Sequence, residues 1–207
     1  MNGISQREAD RFDVTVLVDN YADILLMEQT DTLRRAMIPP PTTLYAEHGL
    51  ACLVTMYAGT EKHSVLLDGG ISPVCLIHNA EVLNVNPGDI EAIALSHGHF
   101  DHFGGLIPML QGMGGSIPLF LHPDAFLERR INIPMVGRAV PMPRLDSGAL
   151  EGAGAEIRAS EDASLLAGGL LSLTGEIERK TPYEKGFPWM EAEIDGRWIV
   201  DPFRDDQ

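Results

Sequence analysis

The sequence predicts an α/β fold in which helices cover an apolar sheet. Short apolar runs recur at Ala51–Tyr57, Ser64–Leu67, Ile90–Leu95 and Ile117–Leu121, apolar enough for strands covered on both faces. Between them fall segments with helical signals, Ser72 to Leu83 and Leu106 to Leu110. A polar loop, Ser96 to Gly105, lies where a buried strand hands over to a helix, the position at a sheet edge where sites are commonly built.

The 207 residues suit one domain, 1–207, with a substantial core. A net charge of −15 argues against a nucleic-acid surface or an anionic membrane as partner. Two cysteines, Cys52 and Cys75, make no disulfide framework and point to a reducing cytoplasm. The first 13 residues are polar rather than signal-like, and no apolar run is long enough to span a bilayer.

In chain order, Asp13–Val18 is a β-rich run closed by Asp19-Asn20, a turn pair. Residues 28–41 end in three prolines and read as an irregular connection. Glu47-His48-Gly49-Leu50 leads into the strand from Ala51, and Gly59-Thr60 turns it into Ser64–Leu67. That strand ends in Asp68-Gly69-Gly70, where glycine permits positive φ and close backbone approach. Ser72-Pro73 is an N-cap followed by proline at the first helical position, and His78 is expected on the surface of that helix. Beyond the loop, Ile117–Leu121 is a strand ended by His122, with a helix expected from about Pro123 to Arg130. Residues 131–154 read as a long excursion near the site. Strands return at Ala155–Arg158 and Leu170–Ile177, and Glu191–Val200 is a hairpin around Asp195-Gly196.

The loop carries the chemistry. His97 and His99, at i and i+2 of an extended segment, project to one side and can hold one ion together. Asp101 and His102, after a turn at Phe100, suit a second ion beside it. Imidazoles with a carboxylate suit Zn2+, with Mn2+ or Fe2+ open as alternatives. Two ions about 3.5–4 Å apart lower the pKa of water and clamp a substrate oxygen. A plain polar loop is the weaker reading, because so many His and Asp side chains follow a buried strand directly.

His97-x-His99-x-Asp101-His102 with Gly104-Gly105 and the upstream Asp68-Gly69 resembles the signature of the metallo-β-lactamase-fold hydrolases. The resemblance implies a layered αββα sandwich. It gives His97 and His99 to one metal, Asp101 and His102 to the other, and makes Asp101 part of the catalytic machinery. Asp68 would brace the loop from behind. Asp19-Asn20-Tyr21, Glu47-His48-Gly49-Leu50, His122-Pro123-Asp124, Glu178-Arg179 and Asp205-Asp206-Gln207 together resemble a narrower branch. That branch is the dihydropterin-ribofuranosylaminobenzene-phosphate synthases of methanopterin biosynthesis and their uncharacterised relatives. It implies a small phosphorylated or carboxylated substrate, for which Arg179 and Lys185 are candidate contacts. His48 and His122 are held open as substrate contacts or substitute metal ligands.

In such relatives the chain runs on past the Asp-Asp-Gln segment to further ligands, so the sandwich is expected to be C-terminally truncated here. Three readings follow: a metal-dependent hydrolase or pterin-type synthase; a truncated, weakly active or inactive metal-binding protein; and a half-sandwich module completed by a partner chain. The truncation also predicts an exposed apolar face and self-association through an open C-terminal sheet edge.

Overall fold

The structure is a computed structural model that describes all residues except 1–4, 134, 136 and 185. Its main sheet has six strands, and its first three form an antiparallel meander. β1 (Arg11–Val18) pairs with β2 (Ala51–Ala58), which turns at Gly59-Thr60 into β3 (Glu61–Leu67). Gly59 takes a left-handed φ of 58° in that turn, where a side chain would be strained. The sheet then becomes parallel. α1 (Pro73–Val82) carries the chain over to β4 (Ala92–Ala94), and α2 (Leu106–Met113) carries it on to β5 (Ile117–Leu121).

A side excursion follows β5. It comprises β6 (Arg129–Ile133), β7 (Arg138–Pro141) and α3 (Ser147–Gly152). β8 (Ala155–Ala159) then closes the main sheet in the order β1-β2-β3-β4-β5-β8. β9 (Ser164–Leu166) and β10 (Leu171–Leu173) form a small ribbon. β11 (Met190–Ile194) and β12 (Arg197–Val200) join β6 and β7 in a four-stranded antiparallel sheet ordered β12-β11-β6-β7.

Alternation along the strands sorts side chains into two layers. Leu66, Ile93, Leu119 and Leu121 point to the helical side, against Leu76 and Ala80 of α1, Leu106, Met109 and Leu110 of α2, and Leu150 of α3. Each fully buried leucine of this kind contributes about 1.5–3 kcal/mol. On the opposite face Met56, Val65, Ala92 and Ala94 pack against Leu166, Ala167 and Leu173 of the ribbon. That cover does not extend over β1, where Phe12, Val14 and Val16 alternate on one face and are half or more exposed. At the other end of the chain β12 is an outer strand, with Ile199 and Val200 nearly half exposed.

Several local readings need correction. The helix expected over Pro123–Arg130 is a single 3-10 turn, Pro123–Phe126, and the chain then enters β6. The turn stops because Arg129 is drawn into a buried ion network and into register with Ala192 of β11. The excursion over 131–154 is ordered as a hairpin and a short helix, whose N-cap Asp146 accepts a 2.9 Å bond from the Ala149 amide. Ser72 has the extended backbone of an N-cap but makes no side-chain cap, since its hydroxyl donates to Glu47 instead. His78 is half-buried rather than on the surface. Its ring stacks on Tyr45 at 3.9 Å and its Nε2 binds the Thr43 carbonyl, pinning the irregular N-terminal connection to α1.

Candidate metal centre

Both loops of the site sit at the C-terminal ends of parallel strands, and backbone locks them together. The Gly69 amide donates to the His102 carbonyl at 2.6 Å, Gly104 to Gly70 at 2.8 Å and Gly105 to Gly69 at 3.0 Å. The contact tolerates no side chain: a Cβ on Gly104 would lie 2.1 Å from the Ile71 carbonyl oxygen. On the other flank a Cβ on Gly98 would lie 2.1 Å from the Ala125 oxygen, so the loop is pressed equally closely against the turn that follows β5.

Asp68 follows β3 directly, with a left-handed φ of 60°, and is fully buried. Its carboxylate accepts from the Ser96 amide and from the Ser96 hydroxyl, both at 2.7 Å, and pairs with His102 Nδ1 at 2.7 Å. Three contacts from one carboxylate fix both the start of the loop and the ring plane of His102. With Nδ1 so engaged, Nε2 faces the other way, 3.6 Å from Asp101 Oδ2. His48 brings its own Nε2 to 3.3 Å from the same oxygen, from a largely exposed position.

The His97 ring lies among the others, with centroids 4.1 Å from His102 and 4.7 Å from His99. His99 is buried, and its Nε2 lies 3.2 Å from Asp201 Oδ2. The segment after β12 therefore lies against the histidines. Asp201 also accepts from Arg129 Nε at 2.7 Å, and Asp205 accepts from Arg129 at 2.7 Å and from the Gly98 amide at 2.7 Å. Phe203 packs edge-on to His99 with centroids 4.9 Å apart. The Gln207 amide donates to the Ser96 carbonyl and its side chain to the Leu95 carbonyl.

Charge in this cluster is strongly tuned. Burial, with the neighbouring His102, His99 and Arg129, pushes the His97 pKa down to about 2, so its ring is neutral and keeps a free lone pair. Burial also works against a charged His102. There the Asp68 hydrogen bond and the Asp68, Asp101 and Asp206 carboxylates outweigh it, and the net shift is upward. Burial raises Asp201, but His99, Arg129 and the Phe203 amide overcome it and hold the carboxyl well below its usual range. Asp206 is raised, mainly by burial.

Donor spacing tests whether a metal fits. Tetrahedral zinc with ligand bonds of about 2.0–2.1 Å sets its donors roughly 3.3–3.4 Å apart. The His48–Asp101 and Asp101–His102 separations, 3.3 and 3.6 Å, have that size. Among the described residues, however, no three His, Cys, Asp or Glu side chains are arranged to hold one ion together. The residues fit a metal in type and in pairs, and not as a closed three-ligand set.

The remaining candidates are placed apart. Arg179 is not free to meet an anionic substrate. Its guanidinium donates to the Phe203 carbonyl at 3.3 and 3.2 Å and to the Glu184 carbonyl at 2.7 Å, and pairs with Asp206. Lys185 lies outside the described residues. His122 is buried at the end of β5, its Nδ1 bonded to the Asp124 amide. Sequence reasoning assigned no site role to Arg129, Asp201 or Asp205. The available signals were an arginine opening an apolar strand and aspartates following one. An open groove of ≈ 470 Å³ bounded by Arg179, Thr181, Glu184 and Asp201 borders the cluster on the Asp201 side.

A helix-backed sheet with a histidine–aspartate loop at its parallel edge defines a metallo-β-lactamase-fold protein. Residues 49–112, from the glycine abutting Asp101 through the loop into α2, match the family described as the Metallo-beta-lactamase superfamily. A 7,8-dihydropterin-6-methyl-4-(beta-D-ribofuranosyl)-aminobenzene-5'-phosphate synthase of Methanocaldococcus jannaschii is 32% identical over 143 residues, 68% of this chain and 48% of the synthase. An uncharacterized protein of the same organism, MJ0448, is 31% identical over 85 residues, covering 41% of this chain and 31% of its own. The crystal structure of Tm1679, titled a metal-dependent hydrolase of the beta-lactamase superfamily, superposes with a TM-score of 0.62. That superposition covers 95% of this chain and 59% of Tm1679 at 18% identity, a likeness of fold alone. This chain thus spans about half the length of the synthase it matches.

Proposed function

We propose that this chain is a single-domain, cytoplasmic metal-dependent hydrolase or pterin-type synthase, acting on a small anionic substrate at the His97–His102 loop. The observation that carries the reading is the buried Asp68 brace. It holds His102 with Nε2 turned toward Asp101, and the Asp101 carboxylate stands at ligand spacing from two imidazoles. His97, His99, Asp101 and His102 would hold the metal, zinc before manganese or iron and two ions in a full site, with His48 as the additional donor. When bound, such ions act as Lewis acids and lower the pKa of water. The chain's own part is positional: Asp68 fixes the His102 tautomer, Asp201 orients His99, and the neutral His97 offers a lone pair. A net charge of −15 disfavours nucleic acid as the substrate.

One observation favours a second reading, a weak metal-binding protein: no three donors among the described residues surround one point. Metal analysis after purification with zinc or manganese decides whether the loop binds. The proposal expects bound metal in the parent chain and a clear loss in Asp101→Ala with an unchanged circular dichroism spectrum. Equal metal content in the two proteins would remove the loop as the ligand set. Turnover by the metal-loaded chain on a panel of phosphoesters, lactones and thioesters then separates enzyme from weak binder, and silence on every class favours the second reading.

A further inference from the structure

The His122 imidazole is buried to 2% exposure, and its Nε2 has no hydrogen-bond partner among the described residues. Its other nitrogen settles its chemistry. Nδ1 accepts a 3.0 Å bond from the Asp124 amide, and a backbone N–H can only donate, so Nδ1 carries a lone pair and no proton. In the neutral ring the proton is then on Nε2. A protonated Nε2 has no lone pair for a metal, and Nδ1 has already used its own.

The position is next to the loop. β4 and β5 run parallel with Ala94 opposite Phe120, so Ser96 and His122 occupy equivalent places two residues further on. The turn capped by His122 is the one pressed against Gly98, and Arg129 ties both together through the Gly98 and Asp124 carbonyls. Opposite Nε2 stands Glu176 Oε2 at 3.9 Å, too far for a direct hydrogen bond, on a side chain 41% exposed. A buried donor and a partly exposed acceptor at this separation suit a single oxygen that can do both jobs. A hydroxyl accepts from Nε2–H and donates to the carboxylate. A phosphate or carboxylate oxygen at the same place would face Glu176 as a like charge.

We propose that His122 and Glu176 form a hydroxyl-binding pair beside the histidine loop, with His122 a substrate contact and not a substitute metal ligand. The inference rests on the reading of the loop as the reactive site, and its test separates the two. Long-range 1H–15N NMR of the histidine rings in the full chain reports the His122 tautomer, and an Nδ1–H tautomer would overturn the assignment. Zinc stoichiometry is expected to be equal in the parent and in His122→Asn. A lower value in the variant would make His122 a ligand and overturn it too. Glycerol, the hydroxyl probe, is expected to shift the His122 Nε2 resonance saturably in the parent, and about tenfold more weakly in Glu176→Ala, the size of one lost hydrogen bond. Inorganic phosphate should leave that resonance in place. A phosphate shift, or a glycerol response unchanged in Glu176→Ala, would overturn the pair. If the parent binds no zinc, the proposed function fails, while the tautomer and the glycerol response still decide this one.

Discussion

β3 and β4 run side by side, and a histidine–carboxylate pair closes each end of them. At the N-terminal end His63 Nδ1 meets Glu91 at 2.9 Å. At the C-terminal end His102 Nδ1 meets Asp68 at 2.7 Å. The two pairs use the same groups at nearly the same distance, but they differ in what surrounds them. Glu91 is 40% exposed, so water screens the pair and competes for it. Asp68 is fully enclosed and also holds the Ser96 amide and hydroxyl. At the same end of the strands, beside the histidine loop, Arg129 is buried between Asp201 and Asp205. An ion pair thus becomes a site only where the fold supplies enclosure and further donors, here where the loops after two parallel strands meet.

The sharpest way to break this comparison is to remove the cation at the enclosed end. Arg129→Met leaves Asp201 and Asp205 buried without their counter-ion, and a stranded buried charge costs about 3–5 kcal/mol. Urea unfolding measures it, and a loss below about 1 kcal/mol, the scale of an exposed pair, would erase the distinction between the ends. Asp68→Asn is a smaller change. It keeps the volume and one acceptor but cannot serve the Ser96 amide, the Ser96 hydroxyl and His102 together. The expected loss is about 1–3 kcal/mol, as for one unsatisfied buried group. It should come with a changed His102 tautomer, read by 1H–15N NMR, and retention of the parent tautomer would show that Asp68 does not set it.

The enclosed end was only partly legible in the sequence. The β2–β3 hairpin and α1 follow from local signals: apolar alternation, Gly59-Thr60, and proline at the first helical position. The crowding of the three loop histidines is legible too, since they lie within six consecutive residues. The Arg129 network is different. Its aspartates lie 72 and 76 residues further along the chain, and a buried ion pair leaves no periodic pattern to read. His122-Pro123-Asp124 shows why a helix start is ambiguous: the same residues that open a helix open a single 3-10 turn when the next strand is claimed by a distant partner. Arg179 shows the same limit. Its bond to the Phe203 carbonyl reaches across 24 residues, and no local pattern in the charged run reveals it.

The exposed end offers the smallest effect and a test of sign. The hydrogen bond to Glu91 raises the His63 pKa, burial opposes it, and the charges of Glu91 and Glu61 add to the rise. A group with its pKa raised by folding binds its proton more tightly in the native state. The stabilisation is therefore fully present below the unfolded value of about 6.5 and is lost as the pH climbs through the folded pKa. His63→Gln should consequently cost stability at pH 5.5 and cost less at pH 8.5, where the parent ring has given up its charge. Because Glu91 is well exposed, solvent screening keeps the difference below about 1 kcal/mol. Urea unfolding of parent and variant at the two pH values checks it. A stability gap that widens with pH would mean His63 acts through its neutral ring, and a gap of several kcal/mol would mean that this end of the strand pair is as enclosed as the other.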